Sequence, residues 1–204
     1  MDEIVKKGMA KWPNVPSVFG WLALDRRGRW LIKGERIANT IVADFIGRNY
    51  EHDEQGRWFF QNGPQRVFIA LAYAPFVYRM AWDPAPGAQQ RMETHTAGTV
   101  TRVDGAWIDE AGILLLATEH GIGLMDDRDL DRLLPCFTDE RGDALPEDAV
   151  GAAIESLHAE SGADLHFRYR QYIVPLRAIL AADVPVRFGF VQRPVQPAGQ
   201  EECY

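Results

Sequence analysis

A four-residue turn signature recurs along this chain and limits what it can fold into. Asp25-Arg26-Arg27-Gly28, Asp53-Glu54-Gln55-Gly56, Asp109-Glu110-Ala111-Gly112 and Asp139-Glu140-Arg141-Gly142 each carry Asp first and Gly fourth. Asp at the head of a type I turn accepts hydrogen bonds from the turn's own amides. Gly in fourth place tolerates the positive φ that leads into a bulged hairpin. Trp30 and Trp58 follow the first two turns, where Leu114 and Ala144 follow the last two. Four such turns in one chain point to a duplicated unit.

The segments between the turns support that expectation. Phe19 to Leu24 and Trp30 to Ile32 read as a hairpin. Asn39-Thr40 then offers a helix cap before Ile41, Val42, Phe45 and Ile46 at helical spacing. In the second half, Trp107-Ile108 enters a turn and Ile113 to Ala117 leaves it. Asp126-Asp127 caps a helix carrying Leu130, Leu133 and Leu134. Further strands are expected at 58–61, 66–73 and 76–82 in the first half, and at 165–169, 173–176 and 184–191 in the second. Pro146 to Glu160 reads as an amphipathic helix inserted in the second unit. The expected fold is α+β: two tandem, structurally similar units, each a small, mainly antiparallel sheet with a packed helix. The expected boundaries are 1–98 for the first unit and its Pro- and Gly-containing linker, 99–191 for the second, and 192–204 for a C-terminal tail.

Composition narrows the function. The chain has 204 residues, 47% of them hydrophobic, and a net charge of −7. That weighs against a nucleic-acid or anionic-membrane binder, because phosphate contacts need clustered Lys and Arg. No apolar run reaches the length of about 20 residues that spans a bilayer. No signal peptide is evident at the N-terminus, and the two cysteines, Cys136 and Cys203, form no disulfide framework, so a cytoplasmic location is expected.

Catalytic and metal motifs are sparse. Ser17, Ser156 and Ser161 lie in no nucleophile elbow, and Cys136 reads as a buried small hydrophobe. The five histidines show no metal-ligand spacing. Asp127-x-Asp129-x-Asp131 resembles the start of a calcium loop, but Arg132 stands where the loop needs Gly and Thr138 where it needs Glu. Helix capping accounts for these acids, and no metal and no cofactor is expected. Gly121-Ile122-Gly123 reads as turn chemistry before a helix. His158 and His166 are expected in water.

The polar residues beside the aromatic strands of the first unit are harder to assign to packing. They are Lys33, Glu35 and Arg36 after the first hairpin, and Gln61, Asn62, Gln65 and Arg66 around Gly63-Pro64. Aromatic walls with a few polar groups build many small-ligand sites. The candidate site is therefore Trp30, Glu35, Trp58, Gln65 and Arg66, with Arg66 as a forked donor for a carboxylate or phosphate. The plainer alternative is that the tryptophans fill the core and the polar groups decorate hairpins.

The run Asp25 to Trp30, then Gly34-Glu35-Arg36-Ile37, a short helix, and Ala74-Pro75-Phe76 resembles uncharacterised bacterial domain-of-unknown-function families made of two repeated α+β motifs. The resemblance implies duplication and a role accessory to signalling, and it carries no catalytic residue. The expected function is a non-catalytic ligand-binding or regulatory protein with a small-molecule or protein partner, and oligomerisation is open to it. One alternative is an enzyme using carboxylates such as Glu35, Glu119 or Asp127 in a cleft between the units. The other is a scaffold that acts through oligomerisation.

Overall fold

The computed structural model describes residues 1–12, 15–81, 91–157 and 164–197. The fold is α+β, with two mixed sheets and short helices. Contacts divide the chain into one unit of Met1–Pro75 with Pro185–Tyr204, and a second of Phe76–Val184.

All four Asp turns form, with the same hydrogen bonds. Oδ1 of Asp25, Asp53, Asp109 and Asp139 accepts from the amides two and four residues on. The Asp carbonyl accepts from the Gly amide at 2.9–3.1 Å in each. Gly28, Gly56, Gly112 and Gly142 have φ of 69°, 72°, 78° and 87°, as the signature requires.

In the first unit, helix α1 (Glu3–Lys11) precedes β1 (Val18–Leu24), β2 (Trp30–Ile32) and β3 (Glu35–Arg36). Helix α2 (Thr40–Arg48) starts where the cap predicts: Asn39 Oδ1 accepts from the Ile41 and Val42 amides. Then come β4 (Tyr50–His52), β5 (Trp58–Asn62) and β6 (Gln65–Leu71). The sheet order is β3-β2-β1-β6-β5-β4, antiparallel except for β1 with β6. One face carries the buried Leu22, Leu24, Ile69 and Leu71, and the other is buried too at Phe59, Phe68 and Gln61. The sheet curls around the first of these faces, because Trp30 on β2 meets Tyr50 on the far edge with ring centroids 5.2 Å apart.

The second unit holds β7 (Phe76–Ala81), β8 (Arg91–Thr94), β9 (Val103–Ile108), β10 (Leu114–Thr118) and β11 (Gly121–Met125). A helical stretch follows, with α3 at Leu130–Leu133, then β12 (Phe137–Thr138), α4 (Glu147–Leu157), β13 (His166–Tyr169) and β14 (Tyr172–Ala178). The order is β12-β13-β14-β9-β10-β11-β7-β8, with β14–β9 and β11–β7 parallel. Tyr78 lies fully buried on β7, its hydroxyl 2.8 Å from Thr118 Oγ1 and donating to the Gly121 carbonyl at 2.8 Å. Burial raises its pKa.

Several expectations are corrected. The division does not fall near residue 98, because β7 pairs with β11 and β8 with β7, which puts residues from Phe76 onward in the second sheet. The expected linker carries β8, and its residues 82–90 lie outside the described residues. Gly121-Ile122-Gly123 belongs to a strand: a Cβ on Gly123 would stand 2.6 Å from the Tyr78 ring, so the glycine lets β7 and β11 approach. The expected strand 184–191 begins with helix α5 (Val184–Phe188), whose second residue, Pro185, has its φ preset for a helical first turn. The expected tail, 192–204, is tied down at its start, and so is the segment before it. The Val191 amide donates to Gly56 O at 2.9 Å, the Leu71 amide to Gln192 O at 2.7 Å, and Gln192 Nε2 to Tyr73 O at 2.9 Å. Residues 198–204, including Cys203, lie outside the described residues.

Candidate functional site

Strand registers decide which side chains of the first sheet can act together. Partners across a ladder share a face. Through Glu35–Ile32–Leu22–Ile69 and Trp30–Leu24–Leu71, Glu35 and Trp30 lie on the face of Leu22 and Leu24. Trp58 and Gln65 lie on it too, through Tyr50–Phe60–Val67 and their own spacing from those residues. Arg66 alternates with Gln65 and lies on the opposite face. The five expected site residues are therefore not brought together. Trp30 is 4% exposed and packs on Tyr50, so it fills the core. Trp58 is half-buried between Tyr50 and His52, with centroids 4.6 and 4.9 Å away. Glu35 is exposed on edge strand β3, and Gln65 Nε2 donates to Pro16 O at 3.2 Å.

The opposite face has a chemistry of its own. Arg36, Leu31, Ala23, Ala70, Phe68, Arg66, Phe59 and Gln61 follow one another across it. Phe19 stacks on Phe68 at 4.5 Å, and Phe59 meets Phe68 edge-on at 5.8 Å. The Arg66 guanidinium lies 4.6 Å over Phe59, that of Arg57 lies 4.7 Å over Phe68, and Lys33 Nζ lies 4.0 Å over Trp21. Arg57 is neutralised by Asp53 at 2.6 Å. Lys33, Arg36 and Arg66 are exposed and have no carboxylate partner among the described residues. The first unit holds thirteen Lys and Arg against ten Asp and Glu, a net charge of +3; the second holds nine against nineteen, a net charge of −10. The whole-chain charge of −7 is the sum of these two unlike parts.

Asp126 and Asp129 of the second unit are held by their surroundings. Asp126 is buried and bonds the Arg128 side chain, with Arg79 Nε at 3.6 Å. Burial pushes its pKa up, but the hydrogen bonds and charge of Arg128 overcome this and hold it at about 2. Asp129 accepts from the Met80 amide at 2.9 Å and pairs with Arg132 at 3.3 Å. Asp127 and Asp131 are exposed. Among the described residues, no three His, Cys, Asp or Glu side chains gather as a metal would need.

Glu119 clamps a loop, accepting from the Thr101 amide, the Thr101 hydroxyl and the Arg102 amide. Burial raises its pKa, and these bonds lower it further than burial raises it. Cys136 is buried, as its sequence context implies, and burial raises its pKa. His166, expected in water, is half-buried with Nδ1 3.5 Å from Asp164; His158 lies outside the described residues.

The model of the DUF2944 family, described as "Protein of unknown function (DUF2946)", matches residues 1–195. Among curated proteins, none matches. A DUF1285 family protein from Silicibacter pomeroyi DSS-3 is similar over 68% of this chain and 87% of its own, at 18% identity and a TM-score of 0.48. Another from Shewanella baltica OS155 is similar over 54% and 87%, at 14% identity and a TM-score of 0.41. No helix among the described residues is long and apolar enough to cross a membrane.

Proposed function

This chain belongs to the DUF2944 family, and we propose that it is a non-catalytic ligand-binding or regulatory protein, accessory to signalling in the bacterial cytoplasm. One observation carries the reading: Asp25, Asp53, Glu119, Asp126 and Asp139 are engaged in structure. Among the described residues, each carboxyl whose pKa is displaced is displaced downward, by backbone amides, by the Thr101 hydroxyl or by a paired cation. A general acid needs the reverse, a carboxyl held protonated near neutrality. Of the three carboxylates an enzyme would use, Glu35 stands on an edge strand of the first sheet, Glu119 clamps a loop and Asp127 is exposed.

The reading includes descent of both sheets from one duplicated unit. Strand order supports this, since β3-β2-β1-β6-β5-β4 corresponds to β11-β10-β9-β14-β13-β12. In each set an Asp turn joins the first two strands, a helical segment leads to a second Asp turn, and the first strand pairs in parallel with the last. The ligand site is placed in the first unit, whose Trp30, Glu35, Trp58, Gln65 and Arg66 have no match in kind in the second. Of these, Glu35 and Arg66 are exposed.

Thermal melts of the full chain against a panel of small anions and peptides, with product analysis by mass spectrometry, test the reading. Stabilisation without turnover is expected. Turnover that disappears in Glu119→Gln or Asp127→Asn would establish the enzyme instead.

A further inference from the structure

The connection between β2 and β3 is two residues long, Lys33-Gly34, and both have positive φ, 47° and 87°. That is the backbone of a type I′ turn, whose first central position is taken by Asn, Asp or Gly because they tolerate left-handed backbone. Lysine there costs about 1 kcal/mol of conformational strain. A strained residue persists when its side chain is needed. The Lys33 ammonium is held 4.0 Å over the Trp21 ring, exposed and without a carboxylate partner among the described residues.

Lys33 opens a row. Arg36 lies on the same side on β3, and Arg66 lies three strands away with its guanidinium over Phe59. At the usual strand spacing β3 to β6 is roughly 14 Å, and Arg66 lies four residues along β6 from Ala70, the residue in the register row of Arg36, which is roughly 13 Å more along the strand. A single carboxylate or phosphate touches one of these cations, whereas an extended segment reaches all three. Two of the three rest on aromatic rings, which limits the ordering cost of engaging them. The length of the occupant is bounded as well. The net positive charge belongs to the first unit alone, and a long polyanion tracking the surface would meet a molecule of net charge −7.

We propose that the face of the first sheet bearing Lys33, Arg36 and Arg66 docks a short acidic peptide segment of a partner protein. This rests on the binding reading above and gives it a ligand class.

The test is titration of the full chain with fluorescein-labelled hexaglutamate. Hexaglutamine and a hexathymidylate oligonucleotide serve as comparisons. Binding of hexaglutamate alone is expected, weakening steeply between about 50 and about 200 mM salt. Lys33→Gly relieves the strained backbone, so its melting temperature should hold or rise while affinity falls by about fivefold. Lys33→Arg should bind as the wild type does, and Lys33→Gly with Arg66→Gln should lose about twentyfold or more. A lysine retained for packing alone would show the opposite, a lower melting temperature with unchanged binding. That outcome overturns the proposal, as does tighter binding of the oligonucleotide or no binding of hexaglutamate at millimolar concentration. If hexaglutamate fails while another compound of the panel stabilises the protein without turnover, only the peptide assignment falls. Turnover removes the binding reading itself.

Discussion

The turns Asp53–Gly56 and Asp109–Gly112 have the same internal hydrogen bonds and different surroundings. In both, the Asp carboxylate gathers two amides and the Gly carries φ above 70°. At Gly112 nothing lies within 4 Å of where a Cβ would stand. At Gly56 a Cβ would stand 2.1 Å from the Gly189 carbonyl oxygen, because the segment after α5 lies directly on the turn. Arg57 follows Gly56 and pairs with Asp53, whereas Ile113 follows Gly112. The same four-residue code therefore leaves its glycine open in one place, where Glu110 beside it accepts from the Ala181 amide at 2.9 Å, and packs its glycine directly under distant backbone in the other. Local sequence chemistry sets the turn, and its tertiary role comes from what packs on it.

Alanine at the two glycines should separate these roles. Both variants pay for left-handed backbone, about 1 kcal/mol. Gly56→Ala must also displace backbone at Gly189, and its total cost should be on the order of 3 kcal/mol. Gly112→Ala should remain near the backbone cost alone. Urea unfolding measures both, and equal losses would mean that the 189–192 segment contributes little to the first unit.

A smaller difference should appear at the carboxylate. Burial raises the Asp53 pKa, but the bonds from Arg57 and the turn amides lower it more, to below the ordinary 3.8. A depressed folded pKa stabilises the fold above the unfolded value, and that contribution is lost as pH falls through the folded one. Asp53→Asn should therefore cost about 1 kcal/mol at neutral pH, after allowance for solvent at the half-buried arginine, and progressively less as pH drops well below 3.8. A loss independent of pH would assign the effect to shape instead of charge. Arg57→Lys should be milder still, about 0.5 kcal/mol, since it keeps the charge and gives up the fork that meets Asp53 through both Nε and Nη2. Thermal melts at neutral pH measure it, and a loss as large as that of Asp53→Asn would make fork geometry the main term.

What could be read from the sequence follows the same division. The Asp turns, the Asn39 cap and the burial of Cys136 rest on neighbours in sequence, and all are found. The strand expected at 184–191 depended on alternating apolar residues, and Pro185 with no ladder partner made its first part a helix. The unit boundary depended on β7 choosing β11, a pairing between strands more than forty residues apart that no local signal specifies. The candidate site failed to converge for a reason of register. Gln65 and Arg66 are adjacent in sequence, and adjacent residues of a strand face opposite ways. Lys33 was visible as a polar residue, but the backbone geometry that sets it apart was not.

Carboxyl titration by carbon-detected NMR on the full chain tests the central claim, that these acids serve the fold and not a reaction. Asp25, Asp53, Asp139 and Asp126 should all titrate below 3.8, with Asp126 lowest at about 2. Glu119 should titrate below the ordinary glutamate range. A carboxyl at any of these positions still protonated at about pH 6 would be the mark of a catalytic acid and would contradict the account.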